Sequence, residues 1–216
     1  MAIKGTAFQY QNRGKHIITT AIEHSSVYET CKELEKFFGF EVTYLGVDHK
    51  GRISLEELEK SIRDDTILVS IMYVNNEIGV INPIDEIKKI VKKYDKVKLH
   101  FDMVQALGKL PIDLNDVDLA SFSAHKIYGL KGSGLLFKRR STTIVPLISG
   151  GQQEFSLRGG TSNACTNIVF AKTLRLALEN FDQKEKYVSK LNKYLIKELQ
   201  TIPLSKMFTG DRRNCY

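Results

Sequence analysis

The chain has 216 residues and a net charge of +7, from 32 Lys and Arg against 25 Asp and Glu, a length that holds a substantial core as one domain or one domain plus part of another. No apolar run approaches the roughly 18 residues that span a bilayer, and the start does not read as a signal peptide. The excess lysines, such as Lys88, Lys89, Lys92 and Lys93, are interleaved with acids and lack a basic–aromatic stripe, so they read as solvated helix faces rather than a nucleic-acid surface.

In chain order, Ala2–Gln11 reads as a helix, an odd opening for a natural domain that predicts a chain cut from a longer one. Strands are predicted at His16–Thr20, Glu41–Leu45, Thr66–Tyr73, Val97–Phe101, Asp118–Ser123 and Gly134–Lys138. Helices are predicted near Val27–Phe38, Leu55–Ile62 and Ile84–Tyr94, two of them opened by capping boxes, Ser26-Val27-Tyr28-Glu29 and Ser54-Leu55-Glu56-Glu57. Asp48-His49-Lys50-Gly51 reads as a turn. From about Thr166 to Gln200 the apolar spacing becomes that of one long helix or two joined ones. Strand–helix alternation of this kind predicts an α/β fold, a mostly parallel sheet with helices on both faces. Cys31, Cys165 and Cys215 have no metal-type spacing, and so sparse a set fits a reducing compartment such as the cytoplasm rather than a disulfide framework or a zinc site.

Ligands of open parallel sheets sit beyond the carboxyl ends of the strands. Four predicted strands are followed there by polar residues: Glu23 and His24, Asn75 and Asn76, Asp102 and Gln105, and Ser123, His125 and Lys126. Singly, each has a plain structural explanation, His24 as a helix start, Asn75-Asn76 as a turn, Asp102 as a cap and His125 as a satisfied interior group. Together they mark a site. Lys126 just past a buried strand, flanked by Ser123, His125 and the glycines of Tyr128–Gly134, is placed as a lysine that forms an imine with a carbonyl cofactor. Pyridoxal phosphate fits this set: Asp102 suits its pyridine nitrogen, His24 its ring face, Asn76 and Gln105 its ring oxygen, and Ser123 and His125 its phosphate.

At these residues the chain resembles the cysteine desulfurases, pyridoxal-phosphate enzymes of the class V aminotransferase family that supply sulfur for iron–sulfur clusters and thiolated tRNA. The blocks that carry the resemblance include Thr20–His24, Asp64–Ser70, Val74–Gly79, Asp102–Ala106, Gly108–Asp113, Ser121–Lys131 and Arg158–Thr161. It implies the large-domain fold of fold-type I pyridoxal-phosphate enzymes. Residues 1–165 would be a cofactor-binding domain incomplete at its N-terminus, and residues 166–216 a helical connection to a truncated small domain. It also implies Lys126 as the covalent anchor, His24 as a ring-stacking residue that moves protons, and Asp102, Asn76, Gln105, Ser123 and His125 as cofactor ligands. Thr161 would reach the phosphate of a neighbouring subunit's cofactor, hence a homodimer. L-cysteine is the implied substrate, and an iron–sulfur scaffold or a tRNA-thiolation protein the implied sulfur acceptor.

Leu130, Met103 and Gly159 stand where the family commonly has proline, a smaller residue and serine. The family's phosphate-cradling loop would precede Met1 and its sulfur-accepting cysteine would follow Tyr216, so the chain alone is expected to be inactive. Two other readings compete: another pyridoxal-phosphate enzyme of the same fold, such as a selenocysteine lyase or an aminotransferase, and a non-catalytic scaffold.

Overall fold

The computed structural model describes residues 1–203. Six strands, β1 (His16–Thr20), β2 (Glu41–Leu45), β3 (Thr66–Met72), β4 (Lys98–Asp102), β5 (Leu119–Ser123) and β6 (Gly134–Lys138), form one sheet in the order β2-β1-β3-β4-β5-β6. All pairings are parallel except β5 with β6. β1, β2 and β6 have the predicted bounds; β3 stops one residue early, and β4 and β5 each start one residue late. The helices are α1 (Ala2–Tyr10), α2 (Ser25–Phe38), α3 (Leu55–Ser61), α4 (Ile84–Val91), the short α5 (Gln153–Ser156), α6 (Ala164–Leu178) and α7 (Phe181–Leu199). The predicted C-terminal helical stretch is therefore two helices, broken where Asn180 adopts a left-handed φ of 76°. Cys215 lies outside the described residues.

Every residue of β1 and β3 is buried, as expected for parallel strands covered on both faces. Successive side chains point to opposite faces. Ile17 and Leu68 join α1 and α2 through Ile3, Ala7, Val27, Cys31 and Leu34. Ile18, Val69 and Ile71 join α3, α4 and α6 through Leu58, Ile87 and Phe170. The mainly apolar α1 fits this place, because Ala2, Ile3, Gly5, Thr6 and Ala7 are all buried. Two buried histidines stitch the strands from within. His16 bonds the hydroxyls of Thr66 and Thr43 at 2.7 and 2.8 Å, and His100 those of Ser70 and Ser121, both at 2.8 Å.

One predicted cap is corrected. Ser54 does open α3, its hydroxyl accepting the Glu57 N–H at 3.1 Å. The helix α2 instead begins two residues before the predicted start and is capped by His24, whose Nδ1 accepts the Ser26 N–H at 3.2 Å. An imidazole nitrogen does here what a serine oxygen does elsewhere.

Candidate cofactor site

The chain leaves β1 for the edge strand β2 and then returns across β1 to β3, so the strand order switches direction between β1 and β3. Such switch points open a crevice at the carboxyl edge. The segments leaving β1, β3, β4 and β5 all emerge on that edge, and they carry seven of the eight predicted site residues.

The β1 exit is pinned from two sides. Asn75 Nδ2 donates to the Ile22 carbonyl at 2.9 Å, and Glu23 Oε1 accepts the Met72 N–H at 2.9 Å. His24 emerges exposed beyond this anchorage, with Nδ1 shared between the Ser26 N–H and hydroxyl. Asn75 is purely architectural, its Oδ1 also accepting the N–H groups of Glu77 and Ile78. That loop turns Asn76 outward, where its amide donates to Glu77 at 3.0 Å.

At the end of β4, Asp102 is half-buried. Its Oδ1 accepts the Val104 N–H at 3.0 Å, and its other oxygen takes no hydrogen bond among the described residues. Burial raises its pKa from the ordinary carboxylate value, and the His24 ring pulls the other way. One turn later Gln105 accepts a hydrogen bond from Lys109 Nζ at 2.8 Å. This orients the amide with its NH2 group free. Asn76, Gln105 and Lys109 share a pocket of about 250 Å³ whose lining is completed by the rest of the loop 74–79. His24, Asp102, Ser123, His125, Lys126 and Thr161 lie outside that lining. Of the residues predicted to converge on one cavity, Asn76 and Gln105 line this pocket, and the others share with them the carboxyl edge of the sheet.

Lys126 sits in a one-turn 3-10 helix, Ala124–Ile127, directly after β5. Buried Ala124 and Ile127 anchor it, and Tyr128 closes it with a left-handed φ of 67°. A Cβ on Gly129 would lie 2.8 Å from the Ala124 carbonyl oxygen, so only glycine permits so tight a turn. The side chains of Lys126, His125 and half-buried Ser123 make no hydrogen bond with the described residues. The charge on Lys126 lowers the pKa of Lys109, after the larger effect of burial, which places the two amines in one neighbourhood. Thr161 stands apart, exposed beyond Gly160 and without a hydrogen bond to any of the other seven. Near it, the short α5 turn holds three non-glycine residues, Glu154, Phe155 and Ser156, at left-handed φ angles of 47°, 58° and 63°. Phe155 is 95% exposed.

The donor set fits pyridoxal phosphate on its own chemistry. It offers an unpaired amine, a half-buried carboxylate with a free oxygen, two amides at one pocket, an imidazole face and an unpaired hydroxyl. Sequence reasoning missed Lys109, because a lysine after glycine reads as surface; its half-buried place depends on the β3–α4 loop. Of the two described cysteines, Cys31 is buried, which pushes its thiol up to about 12, and Cys165 is a lone exposed thiol. Among the described residues no group of His, Cys, Asp and Glu is placed to hold a metal ion, and no helix is long and apolar enough to cross a membrane.

Comparison with known proteins places this geometry in context. The family model described as aminotransferase class-V matches residues 1–215. A protein named cysteine desulfurase IscS from Dictyoglomus turgidum is 46% identical over 216 residues, which are 99% of this chain and 54% of that protein. A mitochondrial cysteine desulfurase from Saccharomyces cerevisiae is 47% identical over 203 residues, 92% of this chain and 40% of that protein. Among solved structures, a NifS-like protein superposes with a TM-score of 0.94 at 41% identity, covering 99% of this chain and 59% of its own. DndA from Streptomyces lividans superposes with a TM-score of 0.90 at 35% identity, covering 99% and 61%. The chain spans about half the length of the curated relatives it matches.

Proposed function

The chain belongs to the class-V aminotransferase family, and on that premise we propose that it is the cofactor-holding portion of a pyridoxal-phosphate-dependent cysteine desulfurase. The observation that carries this reading is Lys126, unpaired on a rigid turn at the same sheet edge as Asp102. The similarity to proteins named cysteine desulfurase favours cysteine as the substrate over the other reactions the fold supports. Thr161 and the strained, exposed α5 turn suit contact with a second copy, and the sulfur acceptor would be an iron–sulfur scaffold or a tRNA-thiolation protein.

Pyridoxal phosphate, when bound, supplies an electron sink for bond changes at the substrate α-carbon. Lys126 would anchor it covalently through Nζ. Asp102, with one oxygen already held by the Val104 N–H, offers the other to the pyridine nitrogen and keeps a proton there. Gln105 donates its NH2 group to the ring oxygen because Lys109 occupies its carbonyl. Asn76 faces the same pocket and joins Gln105 there. His24 uses Nδ1 as a helix cap, which leaves its ring face to stack and Nε2 to take or return a proton. Ser123 and His125, beside the anchor and unpaired, are the donors for the phosphate.

The test is direct. Pyridoxal phosphate added to the purified chain should give a yellow adduct that borohydride traps, and peptide mapping should place it on Lys126. Lys126→Ala should abolish it. An adduct mapped to Lys109 or Lys131 would overturn the assignment.

A further inference from the structure

Among the described acids, Glu23 is the one with a buried carboxyl oxygen left without a hydrogen-bond partner. It is 9% exposed at the β1 exit. Its Oε1 accepts the Thr20 hydroxyl at 2.8 Å and the Met72 N–H at 2.9 Å, whereas Oε2 is buried with no hydrogen-bond partner among the described residues. It makes no ion pair with any described residue. The ionisable groups that act on it from packed elements are Asp102 of β4 and Cys31 of α2, and both are acids; β3 contributes only the Met72 backbone. A carboxylate here would hold an unsolvated oxygen near a second carboxylate with no cation to offset it. A carboxylic acid removes that conflict, and Oε1 continues to accept both bonds. Burial, with a smaller contribution from Asp102, pushes the pKa up to about 8, in the same sense as the geometry.

The position of the tie gives the acid its role. Met72 is the β3 residue in register with Asp102, and the Tyr73 N–H donates to the Asp102 carbonyl at 2.8 Å. Glu23 therefore fastens the β1 exit to the rung that carries Asp102, and the next residue in the chain is His24. We propose that Glu23 is a positioning residue kept as a neutral carboxylic acid, locking the turn that presents His24 and leaving Asp102 as the carboxylate that can carry charge at that rung. The consequence for cofactor holding rests on the function proposed above, whereas the protonation and the tie require no cofactor.

The experiment uses the 216-residue chain with its glutamate carboxyl carbons labelled with 13C and followed by NMR across pH, without cofactor. One carboxyl should remain in the acid form through neutral pH and titrate near about 8, and its signal should be missing from Glu23→Gln. The His24 ring resonances should hold their positions in Glu23→Gln and move in Glu23→Ala, which loses the Met72 tie. The Lys126 adduct should likewise survive Glu23→Gln and weaken in Glu23→Ala by about tenfold, equivalent to roughly 1.4 kcal/mol. A wild-type chain whose glutamates all titrate in the ordinary acid range overturns the proposal, even if it takes up cofactor. So does a Glu23→Gln variant that displaces His24 as far as Glu23→Ala does. If Glu23→Ala fails to fold, the wild-type titration still decides. A high-titrating Glu23 in a chain that forms no Lys126 adduct supports the proposal and overturns the cofactor reading instead.

Discussion

Asp102 illustrates how a binding group is held against the interest of the fold. Its folded pKa is raised, mainly by burial. An acid raised in this way binds a proton more tightly folded than unfolded, so stability falls as pH climbs above the unfolded carboxylate value toward the folded one. Asp102→Asn keeps an oxygen for the Val104 N–H and deletes the charge. We expect the variant to unfold at higher denaturant than wild type at neutral pH, by about 1 kcal/mol, while losing cofactor affinity. Chemical denaturation and an absorbance titration of pyridoxal phosphate check the two halves. A variant less stable than wild type, or one that binds the cofactor equally well, contradicts the role given to this carboxylate.

At the scale of elements, the sheet was legible because its strands are short, β-branched and bounded by turn residues, as at His16–Thr20 and Thr66–Met72. The site edge was legible too, since parallel topology forces the exits of β1, β3, β4 and β5 to one side. What stayed hidden were arrangements made by partners distant in sequence. Glu23 depends on a backbone amide 49 residues away, and Lys109 on a loop around Asn76. The cap of α2 was misassigned because histidine is not among the usual capping residues. The turn that carries Lys126 is the element most exposed to a single change. Gly129→Ala would push a methyl group to 2.8 Å from the Ala124 carbonyl oxygen and 2.9 Å from the Ala124 Cβ. The backbone must give, at a cost of about 1–3 kcal/mol. The variant should therefore melt lower and form the Lys126 adduct more slowly, whereas Gly132→Ala, where no atom stands within 4 Å, should leave the turn's packing unchanged and carry only the strain of its φ of 76°. Equal adduct rates for Gly129→Ala and wild type would show that the turn does not position the lysine.

The molecule as a whole presents two kinds of surface. Helix α7 leaves Tyr187, Leu191, Tyr194 and Leu195 each roughly half or more exposed, and Ile168 on α6 is exposed as well. So continuous an apolar stripe favours association. Sedimentation velocity should show concentration-dependent self-association of the chain, reduced by Leu191→Lys with Leu195→Lys. A strict monomer at all concentrations would count against the homodimer reading. Exposed ion pairs, such as Lys60 with Glu56 at 2.6 Å, add little to the stability of either form.

The buried titratable groups of the two sheet faces set how the whole fold responds to pH. His100, with its pKa depressed by burial to about 3, and His16, also lowered, are neutral when folded. Unfolded histidines gain a proton below about 6.5, so the two reduce stability progressively as pH falls below that value. Glu23 acts from the other side. Its folded pKa of about 8 exceeds the ordinary 4.5, so stability falls as pH rises between those limits and levels beyond the upper one. From 4.5 to about 6.5 the histidines and the raised acids oppose one another; above it Glu23 is partly offset by the Met1 amine, whose pKa burial lowers from 8.0. The melting temperature should therefore peak near about pH 6, decline toward pH 8 and collapse in acid. His100→Leu should flatten the acid limb. It should also lower stability near the optimum by about 1–3 kcal/mol, because Ser70 and Ser121 lose their shared partner inside the sheet. Melting curves across pH for wild type and His100→Leu decide the matter, and an acid limb of unchanged slope in the variant would show that His100 is not the group that titrates.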